Sequence, residues 1–239
     1  MTVMVPIADV TLRGLLSRRR MVLLVLLAAL PVLIGLLIRV AGGRPDPDRV
    51  LDTLVVRFVM PLLALIVGTG VLGSEIDDGT AVYLMVKPIA RWRIVLSKAL
   101  VAAGLTAILV APAVVFTTVL LGGRGDMGTT MVGFAVACLV GGSAYAVAFL
   151  ALSLFTTRAF LIGLGYVLIW EGVLSGLLEG TKFLSIRQAT LGLAAALGLD
   201  LPGDPLAANV SVLVLVVVLV GGFLVASWRL ARFEIRGGD

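Results

Sequence analysis

The sequence predicts an all-α integral membrane protein with six transmembrane helices and both termini in the cytoplasm. Three observations carry that prediction. Of the 239 residues, 60% are hydrophobic and only 14% charged, against about 25% charged in an ordinary soluble domain. The apolar residues gather into runs long enough to cross a bilayer, which takes roughly 20 residues of helix. The basic residues concentrate in alternate connections, as they do in cytoplasmic loops.

The six runs are 21–41, 54–73, 99–121, 129–153, 159–178 and 210–228. No charge falls within 99–123, 127–157 or 205–228, whereas the second run holds Arg57 and the fifth holds Glu171. With both termini inside, the inner segments 1–20, 74–98, 154–158 and 229–239 carry twelve basic and six acidic residues. The outer segments 42–53, 122–128 and 179–209 carry five basic and seven acidic residues, so the orientation is strongly biased. The polar lead "MTVMVPIADVTLRGLLSRRR" and the long apolar run after it do not fit a secretory signal peptide. The whole of 1–239 reads as one transmembrane domain, with no room for a soluble enzymatic domain. Within 179–209, "SIRQATLGLAAALG" is helix-like and "LDLPGDP" is turn-rich, a segment suited to lie on the outer interface or to cap the bundle.

Composition also excludes chemistry. There is no histidine, which removes zinc-protease motifs, histidine-ligated haem and Ser-His or Cys-His nucleophile pairs. The single cysteine, Cys138, lies in an uncharged run and reads as a small packing residue; no metal site is expected. A net charge of +5 suggests nucleic acid at first sight. The basic residues follow membrane topology, however, and make no continuous basic face. "GTGVLG" at 68–73 matches a dinucleotide-binding pattern in letters only, because it ends an apolar span and lacks the strand and βαβ context. Glycine there serves close helix packing. Gly172 and Gly176 form a GxxxG that suits a helix contact. Intramembrane catalysis by paired carboxylates is excluded, since one carboxylate lies inside a span.

The loop between the second and third spans, "GSEIDDGTAVYLMVKPIARWRIVLSKAL" at 73–100, is the segment with chemistry in it. Asp77 and Asp78 are placed to cap a short helix through "GTAVYLMV". Pro88 disfavours helix at Lys87 and opens a second helix, "IARWRIVLSKAL", that runs into the third span with Trp92 at the inner interface. The positive-inside rule accounts for Lys87, Arg91, Arg93 and Lys98. It does not account for the three acids beside them, nor for an apolar "AVYLMV" too short to span, and a docking element fits both.

This loop resembles the first cytoplasmic loop of the type-2 permease family of ATP-binding-cassette exporters. The family's order is a Glu at the end of the second span, Gly-Thr, Pro-x-x-Arg and a Lys opening the third span. Here these are Glu75, Gly79-Thr80, Pro88 with Arg91, and Lys98. The fifth-span stretch "YVLIWEGVLSGLLEGTKFLSIRQ" also looks like the family, and "LLSRRR" resembles its interfacial N-terminal helix. The resemblance implies a non-catalytic permease subunit that pairs with a second copy or paralogue. A separate ATPase, holding ATP and Mg, would dock on a coupling helix formed by Glu75, Asp77, Asp78, Gly79, Thr80, Tyr83, Pro88 and Arg91. No cofactor is implied for this chain, in keeping with the missing G-x-x-x-x-G-K-[ST] loop. The doubled acid Asp77-Asp78 departs from the pattern and stands where it would tune which ATPase docks. The family implies export through a bacterial cytoplasmic membrane, and sixteen arginines against three lysines hint at a GC-rich genome. The alternative is an ATPase-independent scaffold or a passive or secondary transporter; an internal repeat or a repeated charged lining would favour the transporters, and neither is evident.

Two ionisable groups lie inside the predicted spans. Glu171 stands about 12 residues, or about 18 Å of helix, into the fifth, and Arg57 enters the second from outside. Charges in lipid pair or face a polar interior. Both are expected to face the bundle interior, either as a pair or with Glu171 lining a substrate path.

Overall fold

The computed structural model describes residues 18–43, 45–77, 90–122, 126–174, 179–201 and 203–232. Among them the chain is helices joined by turns and irregular connections, with no strand. Helix α1 is Arg18–Val40. Helix α2 runs without a break over 47–77: a first turn Pro47–Val50, a widened segment Leu51–Val59 with i→i+5 hydrogen bonding, and a regular helix Met60–Asp77. Helix α3 is Arg91–Leu121 and α4 is Met127–Ser153. Helix α5, Ala159–Gly165, continues into a second widened segment, Tyr166–Leu174. A 3₁₀ turn, Glu179–Leu184, leads into α6, Ile186–Ala196, and α7 is Ala208–Ala231.

Among the described residues, five helical stretches are long and apolar enough to cross a membrane: Arg20–Val40, Pro47–Val71, Arg91–Leu121, Met127–Ser153 and Ala208–Ala231. These correspond to the first, second, third, fourth and sixth predicted spans. The predicted fifth span is a shorter apolar helix, Ala159–Val173, followed by residues 175–178, which lie outside the described residues. The third predicted span begins eight residues earlier than its apolar run, because α3 takes in "RWRIVLSK". A helix of 31 residues is about 46 Å long, longer than a hydrocarbon core of about 30 Å.

Helix α4 is the hub, packing against α2, α3, α6 and α7. Its composition explains why. Gly133, Ala137, Cys138, Gly141, Gly142 and Ala144 are buried along it, and small residues let neighbouring backbones approach closely. A Cβ on Gly68 of α2 would stand 2.7 Å from the Ala146 carbonyl oxygen, so the "GTGVLG" glycine does serve helix packing. A Cβ on Gly141 would collide with Thr190 of α6. Several hydroxyls within the helices are satisfied locally: Thr106, Thr118 and Thr190 each donate to the carbonyl four residues back. By contrast, α7 keeps Leu213, Val217, Val220 and Leu224 exposed, and α1 keeps Leu23, Leu26, Leu33 and Leu37 exposed. Such surfaces are stable only against lipid or another apolar partner.

Segment 179–209 folds back onto the bundle, with α6 seated against α4 and α7. Ile186, Ala189, Thr190, Leu191, Gly192 and Ala194 are buried. Of the two placements open to it from sequence, capping the bundle matches this packing.

Candidate functional site

Four of the described charges within the bundle, Asp52, Arg57, Glu171 and Arg187, collect where the two widened helical segments meet the start of α6. Helices with i→i+5 hydrogen bonding are rare and recur at functional sites. One carries Asp52 and Arg57; the other carries Tyr166 and Glu171.

Glu171 is 0% exposed. Its Oε1 accepts from the Tyr145 hydroxyl at 2.8 Å and the Tyr166 hydroxyl at 3.0 Å. The same oxygen accepts from the backbone N–H of Ile186 at 3.0 Å and, more weakly, of Arg187 at 3.4 Å. The Ser185 hydroxyl donates to Oε2 while accepting from the Gln188 N–H as the N-cap of α6. A carboxylate at this position meets the positive end of the α6 dipole and the first N–H groups, which have no partner inside the helix. Helix α6 therefore owes its position to a buried acid on another segment.

Arg187 extends the network outward. Its Nη2 lies 2.9 Å from Asp52 Oδ1, with side chains only 9% and 14% exposed, and this pair ties α6 to the first turns of α2. Arg57 reaches across as well, its Nη2 donating to the Gly172 carbonyl at 2.5 Å while the guanidinium rests on the Phe58 ring. The arginine thus meets the residue next to Glu171, and the carboxylate is taken up by hydroxyls and N–H groups. Near the same end, Asp126 caps α4. The Thr129 hydroxyl, then the Gly128 N–H, hold its carboxyl below the ordinary carboxylate range.

At the opposite end of the bundle, cations take up carbonyls at or near helix C-termini. The Lys98 ammonium, completely buried, donates to the Val71 carbonyl at 2.9 Å. Arg91 Nη1 donates to the Leu230 and Ala231 carbonyls at 3.0 and 2.5 Å, closing α7. Arg229 Nε donates to the Leu154 carbonyl at 3.3 Å, just past α4. The Leu230 and Ala231 carbonyls stand at the very end of α7, carry partial negative charge and lack a regular i→i+4 partner, so a cation there satisfies both needs; the Val71 carbonyl lies further inside α2. The result links the start of α3 to the ends of α2 and α7.

Of the docking residues expected from sequence, Arg91 is described, and it sits on α7. Glu75 and Asp77 belong to the last turns of α2, with side chains outside the described residues. Asp78, Gly79, Thr80, Tyr83 and Pro88 lie outside the described residues. The residues that sequence reasoning missed are Tyr145, Tyr166, Ser185, Arg187 and Asp52. Signals for them existed: two of only three tyrosines, Tyr145 and Tyr166, lie inside predicted spans, and "SIRQ" opens α6 with a capping serine.

These features define a class: a polytopic, all-helical membrane protein with a polar network inside the bundle and a basic end. A family model described as ABC-2 family transporter protein matches residues 16–171, and the chain belongs to that family. No curated protein matches it. Membership makes it a multi-pass membrane component of the transport type, consistent with its long apolar helices.

Proposed function

We propose that the chain is the permease subunit of an ATP-binding-cassette exporter in a bacterial cytoplasmic membrane. It crosses the membrane six times with both termini in the cytoplasm, pairs with a second permease copy or paralogue, and hydrolyses nothing itself. A separate ATPase, carrying ATP and Mg, docks on a coupling helix in the 74–98 loop through Glu75, Asp77, Asp78, Gly79, Thr80, Tyr83, Pro88 and Arg91.

The observation that carries this reading is family membership over residues 16–171. Two physical features support it. The chain passes from Leu154, beside Arg229 of α7, to Arg187, beside Asp52 at the start of α2, and these contacts stand at opposite ends of the bundle. That passage favours a sixth crossing through 159–174. Arg91 and Lys98, at and just past the exit of the loop, grip the last turns of α7 and α2. A push on the loop would then load three helices together.

The test is co-purification of an ATP-binding-cassette ATPase with the tagged protein from its native membrane in mild detergent. Asp77→Ala with Asp78→Ala is the informative variant, because Arg91→Ala also strips the α7 carbonyls of their cation. Loss of the ATPase from a folded double variant is expected. A folded wild-type protein that arrives alone would move the reading to an ATPase-independent scaffold or passive transporter.

A further inference from the structure

We propose that the close of α7 and the turn after α4 form a site for the phosphate headgroup of an anionic phospholipid. This rests on the membrane embedding of the chain and is independent of whether an ATPase docks. Within this cluster Arg229 is half-buried, its Nε on the Leu154 carbonyl and its guanidinium 5.4 Å from the centre of the Phe155 ring. Arg232 lies 4.3 Å from the centre of the Trp228 ring, one helical turn back. Arg158 is exposed at the end of the same turn, and its backbone N–H is held by the Thr156 hydroxyl at 3.1 Å. Arg91 fixes the helix end from behind through the Leu230 and Ala231 carbonyls. Two guanidiniums thus lie on two half-exposed rings, Arg229 on Phe155 at 49% and Arg232 on Trp228 at 50%, and Arg158 follows Phe155 by three residues as an exposed third cation. Neither 154–158 nor 224–232 contains a carboxylate to neutralise them.

The pattern leading to this cluster selects lipid over an acidic protein surface. Leu213, Val217, Val220, Leu224 and Trp228 are all exposed and follow one another at steps of three and four, a single face of α7. From Leu213 to Trp228 that face is about 22 Å long, enough to line most of one acyl chain. The tryptophan then falls at interfacial depth and Arg232 one turn beyond, at headgroup height. An exposed apolar stripe, an interfacial aromatic and a group of arginines in that order match an anionic phospholipid from tail to head. An acidic protein would need the cations without the stripe. Cation–π contact holds Arg229 and Arg232 in place, so part of the ordering cost of binding a phosphate is already met.

The experiment uses the full chain, purified and delipidated in mild detergent, with native mass spectrometry and thermal unfolding as readouts. The probes are dioctanoyl-phosphatidylglycerol, dioctanoyl-phosphatidylcholine and inorganic phosphate. Retention of phosphatidylglycerol over phosphatidylcholine is expected, with a rise in unfolding temperature for the bound form. Arg158→Gln with Arg232→Gln should weaken phosphatidylglycerol binding by about tenfold or more, since each arginine near an anionic surface contributes substantially. Arg158→Lys with Arg232→Lys, which keeps the charge, should retain most of it, and Arg49→Gln at the other end should retain all of it. Equal binding of both lipids would overturn the proposal. So would competition by inorganic phosphate at the lipid's own concentration, which would mean an anion site without lipid recognition. Undiminished phosphatidylglycerol binding in the glutamine variant, with loss of a co-purifying ATPase instead, would reassign the cluster to an acidic protein surface. Failure of lipid binding leaves the permease reading intact, and a missing ATPase leaves the lipid result intact.

Discussion

Glu171 is shut off from bulk solvent, so its neighbours must satisfy its oxygens. Among the described residues, four donors converge on one oxygen and the Ser185 hydroxyl donates to the other. Glu171→Ala would orphan the Tyr145 hydroxyl and the first N–H groups of α6, and each buried unsatisfied group costs about 1–3 kcal/mol. Glu171→Gln keeps the shape and one acceptor oxygen, and its amide can donate to Ser185. The expected order of unfolding temperature in detergent is wild type, then Gln, then Ala, with the alanine variant lowest by a wide margin. Equal losses would mean that charge, and not acceptor geometry, holds α6; no loss in either would remove the network as its anchor. Arg187→Met with Asp52 intact should destabilise by about 3–5 kcal/mol, because it leaves a nearly buried carboxylate alone. Adding Asp52→Leu should recover much of that loss. Arg57 and Glu171 were conspicuous in the sequence because charges are rare inside apolar runs. Their partners were not, since tyrosines and serines at such positions carry no sign of which acid they will face.

Helices were the most legible elements, and glycines the least. The third, fourth and sixth spans appear within a few residues of their apolar runs, apart from the amphipathic start of α3, which hydropathy alone leaves out. The widened turns at 51–59 and 166–174 have no local sequence signature, because they are set by what the segments must reach. Which glycine touches which helix was equally hidden, and this gives a test at the element scale. Gly68→Ala places a methyl against the Ala146 carbonyl and Phe149, both on the hub helix. Overpacking of this kind costs typically 1–3 kcal/mol, so a clear drop in unfolding temperature is expected. Gly104→Ala, with nothing within 4 Å of its Cβ, should be neutral or slightly stabilising. Equal behaviour of the two variants would contradict the close α2–α4 contact. The cap of α4 adds a pH dependence. The carboxyl of Asp126 is held below its ordinary value of 3.8, so its stabilising contribution is present above that pH and lost as the pH falls through the lowered value. Protection of the amides at residues 127–130, measured relative to their intrinsic exchange, should fall below pH 3.8 in the wild type, and Asp126→Ala should show the low protection at all pH values.

The whole molecule has a direction that the sequence already carried in its loops and the bundle repeats in its ends. One end gathers Arg91, Arg229 and Lys98 on helix carbonyls; the other gathers Asp48, Asp52 and Asp126 on hydroxyls and Arg187. Positive charge resists translocation, so the arginine end should face the cytoplasm. The orientation and the sixth crossing can be tested together, because Cys138 is the sole cysteine and is buried at 2% exposure, silent to a membrane-impermeant maleimide. Asp204→Cys and Arg158→Cys place single exposed thiols on either side of the 159–174 segment. In intact cells Asp204→Cys should label at once and Arg158→Cys only after permeabilisation. Labelling of both thiols from the same side would mean that 159–174 enters and leaves by one face, reducing the crossings to five. Labelling in the reverse sense would place the arginine end outside, and with it any ATPase that needs cytoplasmic ATP would lose its dock.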